Sequence, residues 1–290
     1  MSDPAATTTA ATGATVDGAD IADPILEVSG LQRRFGGVVA VDIEHLAVGR
    51  GSMTALIGPN GAGKTTLFNL LTGFDRPDRG EWRFDGVPLQ HRPAHKVARA
   101  GMVRTFQLTK ALARLSVLDN VLLGAKDAQG ETHHQPLGGR WRRSERERIE
   151  QAETLLADVR LADKRDDDAA TLSGGQRKLL ELARALMADP ELLMLDEPMA
   201  GVNPALAEFL VDRLVALRGR GITVVFVEHE LDVVMATADR VVCMAEGSVI
   251  STGTPAQVLR DPRVAEAYLG MRQTERFRGD DEHDGPGSPA

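Results

Sequence analysis

Short apolar runs alternate with helical patterns through most of this sequence. The runs are strand-sized: Ile25–Val28, Met53–Ile57, Leu192–Leu195 and Thr223–Val227. The second leads directly into a glycine-rich loop and the third into an acidic residue. Apolar runs of about four to eight residues are typical of strands that are buried on both faces. The pattern predicts an α/β fold with a mostly parallel sheet, and the early strands predict an antiparallel sheet beside it.

Two helices can be predicted from the spacing of their apolar residues. Asn203 fits an N-cap, Pro204 fits the first helical position, and Gly219 is expected to end the helix. Its apolar face consists of Leu206, Leu210, Leu214 and Leu217. A second apolar stripe crosses a highly charged segment and predicts a surface helix that packs on the core: Ile149, Ala152, Leu155, Leu156 and Val159.

The composition predicts one globular domain between two tails. The chain has 290 residues, of which 42% are hydrophobic, which is enough for a substantial core. Residues 1–24 and 271–290 are poor in large apolar side chains and predict disordered tails, so the domain is expected at 25–270 with a helical lobe at about 108–190. The first 22 residues lack a basic start and an apolar segment, so they do not predict a signal peptide.

Charge and cysteine content exclude several classes of protein. The net charge of -8 gives no general attraction to nucleic acid, and the strand-sized apolar runs are too short to span a membrane, so any membrane association is expected to be peripheral. Cys243 is the only cysteine and lies in an apolar run. It predicts a buried hydrophobic position and leaves no possibility of a disulfide within the chain, which fits a reducing compartment.

A glycine-rich loop between a predicted strand and a predicted helix carries the first chemical signal. The loop matches the pattern G-x-x-x-x-G-K-[ST] of nucleoside triphosphate-binding P-loops: Gly58, Pro59, Asn60, Gly61, Ala62, Gly63, Lys64 and Thr65. The helix that follows is expected from Thr66 to Leu71. Backbone N–H groups of such a loop cradle phosphates, Lys64 can bridge the outer phosphates, and Thr65 can ligate Mg²⁺.

A second signal is the apolar run that ends in Asp196 and Glu197. A buried parallel strand delivers such carboxylates to a site at its carboxyl edge. Asp196 is predicted to hold Mg²⁺ or its water, and Glu197 to polarise the water that attacks the γ-phosphate.

The third signal is the pentapeptide Leu172–Gln176, which precedes a helical pattern. Its sequence, LSGGQ, is identical to the signature of ATP-binding cassette (ABC) proteins, and it lies between the P-loop and the acidic strand, as in that family. The chain from Leu26 to Leu269 resembles the ABC ATPases. The resemblance implies a P-loop fold with a RecA-like, mostly parallel core, an antiparallel β subdomain and a helical signature lobe.

The resemblance also implies roles for single residues. Phe35 resembles the aromatic residue that stacks on adenine, Gln107 the glutamine that contacts the metal and couples the helical lobe to a membrane partner, and His229 the switch histidine that acts with Glu197. In this family two cassettes pair head to tail, so the signature of one covers the ATP of the other. The resemblance also implies that Thr66 contacts the ATP bound to the P-loop of its own chain. The residues that would meet the ATP bound by the partner cassette are Ser173, Gly174, Gly175 and Gln176.

One position departs from the pattern of many ABC proteins. Asn203 stands where they carry an aspartate after the acidic strand. An amide can hydrogen-bond but has no charge, so a charged contact across the pair of cassettes is not implied here.

Longer runs resemble the ATPases of branched-chain amino acid importers in particular: Arg33–Gly37, Val103–Gln107, Val227–His229, Gly253–Pro255 and Ala267–Gly270. That resemblance implies a homodimer or heterodimer of cassettes on the cytoplasmic face of the membrane, two transmembrane permeases and, indirectly, a substrate-binding protein. The alternatives are a urea or short-amide importer, a soluble ABC ATPase such as the iron–sulfur assembly type, and a regulatory ATP clamp without turnover. The cargo follows from resemblance alone, because the transported molecule contacts other subunits.

Overall fold

Two β-sheets organise the part of the chain that the computed structural model describes, which is residues 21–105, 112–126 and 139–269, with no side chains described at 139–142 and 144. Gln107, residues 1–20 of the predicted N-terminal tail and the whole predicted C-terminal tail lie outside these ranges. The predicted N-terminal boundary is slightly late, because Pro24 already pairs in the first strand. The strands are β1 (Pro24–Phe35), β2 (Val38–Gly49), β3 (Met53–Ile57), β4 (Arg79–Phe84), β5 (Val87–Pro88), β6 (Met102–Arg104), β7 (Leu192–Asp196), β8 (Thr223–Val227), β9 (Arg240–Ala245) and β10 (Ser248–Gly253).

The larger sheet has the order β10-β9-β3-β8-β7-β6, in which all neighbours are parallel except β10 and β9. This is the mostly parallel sheet that the apolar runs predict. Consecutive residues of β7 pack into two different cores, Leu193 and Leu195 on one face, Leu192 and Met194 on the other. The strand is fully buried because helices cover one face and the smaller sheet, with two helices, covers the other.

The smaller sheet is antiparallel, with the order β2-β1-β4-β5, as predicted for the early strands. β1 extends to Phe35, well past the predicted Ile25–Val28 segment. Its later residues include exposed charged side chains, and they stay in the sheet because β2 supplies hydrogen-bond partners along the whole strand.

The helices are α1 (Lys64–Leu71), α2 (Ala94–Ala100), α3 (Val117–Leu122), α4 (Gly139–Asp158), α5 (Gly174–Leu186), α6 (Pro204–Gly219), α7 (Leu231–Thr237) and α8 (Pro255–Arg260). Residues 262–269 are also helical. α3, α4 and the start of α5 form the helical lobe, and the predicted stripe on α4 is confirmed, since Ala152, Leu155 and Leu156 are buried in its core.

The helix predicted after Asn203 is confirmed as α6. The Asn203 Oδ1 atom accepts a hydrogen bond from the Leu206 backbone N–H at 2.9 Å, and Leu210, Leu214 and Leu217 are buried. The prediction that the helix ends at Gly219 is confirmed, because Gly219 is its last residue. The left-handed turn that follows uses Gly221, with φ +88°. Glycine has no Cβ, so it adopts that conformation without strain.

The predicted burial of the single cysteine is confirmed. Cys243 is fully buried in β9, among the apolar side chains of the larger core. Burial raises the pKa of its thiol to about 12, so the side chain stays neutral in the folded protein.

Candidate functional site

Three neighbouring strands of the larger sheet deliver the predicted chemistry to one edge. β3 leads into the P-loop, β7 ends in Asp196, and β8 leads into His229. In the sheet order, β3, β8 and β7 are adjacent and parallel, so their carboxyl ends lie side by side. Ligands of open parallel sheets bind at this edge, which makes it the candidate site.

The P-loop backbone packs closely against its surroundings. A Cβ atom at Gly58, which has φ +144°, would lie 2.1 Å from the Met244 carbonyl oxygen, and one at Gly63, with φ +99°, would lie 2.3 Å from that of Ala40. Only glycine satisfies both the dihedral angle and the contact. Gly61 and Asn60 are exposed at the tip of the loop, where their N–H groups are accessible to solvent.

Lys64 begins α1 and folds back over the loop. Its Nζ donates to the carbonyl oxygens of Gly58 at 2.7 Å and Pro59 at 2.9 Å, and the side chain is largely buried. Burial lowers the pKa of Lys64, while the negative charges of Glu197 and Asp196 act in the opposite direction. Lys64 follows β3 and the two acids end or follow β7, so all three lie at the same edge of the sheet. The hydroxyl-bearing Thr65 is exposed and Thr66 is half-buried on the same helix.

Glu197 and His229 meet above the ends of β7 and β8. The His229 Nε2 atom lies 3.0 Å from Glu197 Oε1, and both side chains are partly exposed, 40% and 22% respectively. Glu197 has φ +50°, in the left-handed region that a non-glycine residue rarely adopts. A carboxylate and an imidazole in contact at an accessible edge form a pair that can orient a water molecule and hold its proton.

Asp196 has a partner that the sequence does not predict. Its Oδ2 accepts a hydrogen bond from Arg104 Nη2 at 2.8 Å, and both side chains are buried. Arg104 Nη1 also donates to Asn69 Oδ1 at 2.6 Å. Arg104 ends β6, which pairs with β7, so the sheet brings together two residues that are 92 positions apart. The available signal was the Val103–Gln107 run, which contains Arg104 without indicating its contact.

The signature residues lie at the start of α5. Ser173 is the N-cap, and its hydroxyl accepts from the Gln176 N–H at 3.2 Å while the Gln176 side chain accepts from the Ser173 N–H at 2.9 Å. Ser173 and Gly174 are exposed, and Gly175 and Gln176 are half-buried. The helix N-terminus therefore points to solvent with its first N–H groups accessible, which suits an anion that arrives from outside the chain.

Two residues with roles implied only by resemblance have different outcomes. Phe35 ends β1 and is 50% exposed, with the Arg33 guanidinium 4.6 Å from its ring centroid. Its ring is accessible for stacking, but the contact with adenine stays a prediction. Gln107 lies outside the described residues, so its predicted place near the metal also stays a prediction.

Comparisons with known proteins agree with this geometry. Residues 42–200 match the model of the ABC transporter family, and residues 248–270 match that of the branched-chain amino acid ATP-binding cassette transporters. The chain is 42% identical to a probable branched-chain amino acid transport ATP-binding protein LivG of Archaeoglobus fulgidus, over 87% of this chain and 97% of that protein.

A second relative is the high-affinity branched-chain amino acid transport ATP-binding protein BraF of Pseudomonas aeruginosa, which is 43% identical over 85% of this chain and 98% of its own length. A solved ATP-binding cassette in its ADP conformation superposes with a TM-score of 0.74 at 35% identity, over 85% of this chain and 99% of that one. The chain belongs to the ABC transporter family.

The cassette architecture follows from this membership. The chain is an ATP-binding, ATP-hydrolysing subunit of an ABC transporter, with the P-loop and acidic strand in the mostly parallel core and the signature in the helical lobe. Within the described ranges, no helix has the length and apolar character that crossing a membrane requires.

Proposed function

We propose that this ABC cassette binds ATP with Mg²⁺ at its P-loop and hydrolyses it to power the import of branched-chain amino acids. The observation that carries the proposal is the placement of Lys64, Asp196 and the Glu197–His229 pair at one edge of the sheet. Each side chain then has a task in phosphoryl transfer from ATP to water.

The oxygen donors at this edge fit a magnesium ion. Mg²⁺ prefers hard oxygen ligands and takes one or two from the protein, with the others from phosphates and water. The carboxylate of Asp196 and the hydroxyl of Thr65 supply that set, and Gln107 is proposed as a further contact. When bound, Mg²⁺ neutralises charge on the β- and γ-phosphates.

The protein side chains account for the remaining steps. The P-loop N–H groups and the Lys64 ammonium orient the phosphates, and Glu197 accepts a proton from the attacking water as its oxygen bonds to the γ-phosphorus. The bond between that phosphorus and the bridging oxygen breaks, which gives ADP and phosphate. His229 holds the Glu197 carboxylate and contacts the transferred phosphoryl group.

The exposed signature supports pairing with a second cassette. Ser173, Gly174, Gly175 and Gln176 are accessible at a helix N-terminus, so they are proposed to meet the γ-phosphate bound by an identical or homologous partner. Loss of that phosphate weakens the closed pair. Two transmembrane permeases are the proposed partners at the cytoplasmic face of the membrane. A substrate-binding protein is a proposed indirect partner, and nucleic acid is not a proposed partner.

Uptake by intact cells tests the cargo. In the native cell, after deletion of redundant leucine carriers, we expect Lys64→Ala to abolish uptake of labelled leucine and to leave labelled urea uptake unchanged. Lys164→Ala is the matched control, because Lys164 pairs with Asp167 on the surface, away from the proposed chemistry. Loss of urea uptake alone would support the transport ATPase but would make urea its cargo. If neither leucine uptake nor urea uptake is lost, the proposed import is contradicted.

A further inference from the structure

The loop that carries Glu197 is held in a strained shape. We call residues 197–200 the acid loop. Glu197 opens it with φ +50°, and its N–H donates to the Val227 carbonyl oxygen at 3.1 Å. A non-glycine residue in the left-handed region costs on the order of 1–3 kcal/mol and persists only when its surroundings hold it. The contacts that hold this loop are therefore part of what places the Glu197 carboxylate.

A half-buried lysine holds the carbonyl groups of the acid loop. Lys178 Nζ donates to the carbonyl oxygens of Glu197 and Pro198, both at 3.2 Å, and also to that of Ala200. An ammonium group has three N–H donors, so these three acceptors satisfy it completely. Burial lowers the pKa of Lys178, and the charge of Glu228 acts in the opposite direction.

A buried glutamate holds the loop from the N–H side. Glu228 is 3% exposed, its Oε1 accepts from the Met199 N–H at 2.9 Å, and its Oε2 accepts from the His229 N–H at 3.3 Å. Burial raises the pKa of Glu228, and the two N–H donors oppose that shift. One carboxylate thus fixes the backbone of both the acid loop and the residue that contacts Glu197.

Close packing alone does not hold the loop. A cavity of about 30 Å³ lies beneath it, lined in part by Lys178, Glu197 and Pro198. A cavity of this size admits a water molecule, so side chains leave part of the space beside Lys178 and Glu197 unfilled. Met199 anchors the loop in the core, and the charge-assisted hydrogen bonds from Lys178 and to Glu228, which are roughly twice as strong as neutral ones, fix its backbone.

We propose that Lys178 and Glu228 are positioning residues that clamp the acid loop from its two sides and so keep Glu197 in the orientation that hydrolysis needs. The inference rests on the proposed role of Glu197. Lys178 lies on α5 near its signature end, and Glu228 follows β8. Because Lys178 lies on the signature helix, a shift of that helix moves the backbone that carries Glu197. When the signature closes on the ATP of the partner cassette, the catalytic site of its own chain is therefore affected as well.

The lysine is tested by steady-state hydrolysis together with nucleotide binding. In the full chain, we expect Lys178→Met to lower kcat at least 10-fold, because a misplaced catalytic group typically costs about that much or more. The Kd for a non-hydrolysable ATP analogue should change less than about 2-fold, because the phosphate contacts remain. The stoichiometry of analogue binding gives the folded fraction. Lys164→Met, at a surface lysine paired with Asp167, is the matched control and should match the wild type.

The glutamate is tested by a conservative and a disruptive substitution. Glu228→Gln keeps an oxygen acceptor for the Met199 N–H, whereas Glu228→Leu removes it. We expect Glu228→Leu to lower kcat about as much as Lys178→Met, and Glu228→Gln to recover most of that loss at similar analogue affinity. A purely structural role would instead lower kcat only in proportion to the folded fraction.

The outcomes separate this inference from the function on which it rests. Wild-type kcat in both Lys178→Met and Glu228→Leu, or losses that only follow the folded fraction, would overturn the clamp. Glu197→Gln is measured in parallel: if it abolishes turnover while those two variants retain it, the clamp alone is wrong. If Glu197→Gln retains turnover, the proposed role of Glu197 is wrong. The clamp would then position a side chain that hydrolysis does not need.

Discussion

At the scale of single residues, the site is defined by buried charges that neutralise one another. Asp196 pairs with Arg104, and Lys178 and Glu228 both bond to the backbone of the acid loop. A buried charge without a partner is costly, so each of these residues depends on its counterpart. Substitution of one member of a pair is therefore more damaging than substitution of both.

The Arg104–Asp196 pair gives a direct test. We expect Arg104→Met to lower the free energy of unfolding by about 3 kcal/mol, because it leaves the Asp196 carboxylate buried without its cation. Urea denaturation measures the change. In the Asp196→Asn background, the same substitution should cost much less. Equal costs in the two backgrounds would show that the two side chains do not interact.

Cys243 gives a prediction on pH. Its thiol has a pKa of about 12 in the folded chain against an ordinary 9.0, because burial disfavours the thiolate. As the pH rises above about 9, the unfolded chain loses this proton and the folded chain keeps it, so the free energy of unfolding falls. Cys243→Val should reduce that fall in urea denaturation series.

The same thiol reports on folding. Because Cys243 is the only cysteine, its reaction with a disulfide reagent at pH 8 is unambiguous. We expect the folded protein to react at least 100-fold more slowly than the protein in urea, since the thiolate is the nucleophile and the side chain is fully buried. Comparable rates would mean that Cys243 is accessible in the folded chain.

At the scale of elements, the strands were largely predictable and the contacts between them were not. β3 and β8 have the predicted bounds, because an apolar run buried on both faces is a strong signal of a strand. The P-loop could be located because its glycine pattern is local. Arg104 could not be assigned to Asp196, because sheet order, and not sequence spacing, brings them together.

The end of α6 shows a second limit. Gly219 and Gly221 are both candidates for the helix terminus, and the sequence does not indicate which one takes the left-handed conformation. The structure places that conformation at Gly221, two residues after the last helical residue. Element boundaries depend on such small energetic differences, whereas the existence of the helix follows from its whole apolar face.

The start of α6 gives a prediction at this scale. We expect Asn203→Ala to cost roughly 1 kcal/mol of stability, because the Leu206 N–H loses its acceptor. Asn203→Asp restores the residue type of many related cassettes and should retain the stability, since a carboxylate also caps a helix and favours its positive end. Urea denaturation compares the three proteins. A loss in Asn203→Asp as large as that in Asn203→Ala would contradict the capping role.

At the scale of the whole molecule, the site is open on the side where the signature of another cassette would meet it. Glu197 and His229 are partly exposed at the edge of the sheet, and Ser173 is exposed at the start of α5. The tip of the P-loop and the start of the signature, which are the two proposed halves of an ATP-binding interface, are both exposed. ATP is then expected to join two cassettes, and its hydrolysis to release them.

The central claim is that Glu197 activates the water that attacks ATP bound at the P-loop. The most direct measurement is turnover and particle mass of Glu197→Gln with saturating ATP and Mg²⁺, with Lys64→Ala as the control that lacks the phosphate contact. We predict hydrolysis at least 100-fold below the wild type and, by light scattering, a stable particle of twice the 31.2 kDa chain mass. Hydrolysis near the wild-type rate, or a Glu197→Gln chain that stays monomeric with ATP bound, would contradict the account.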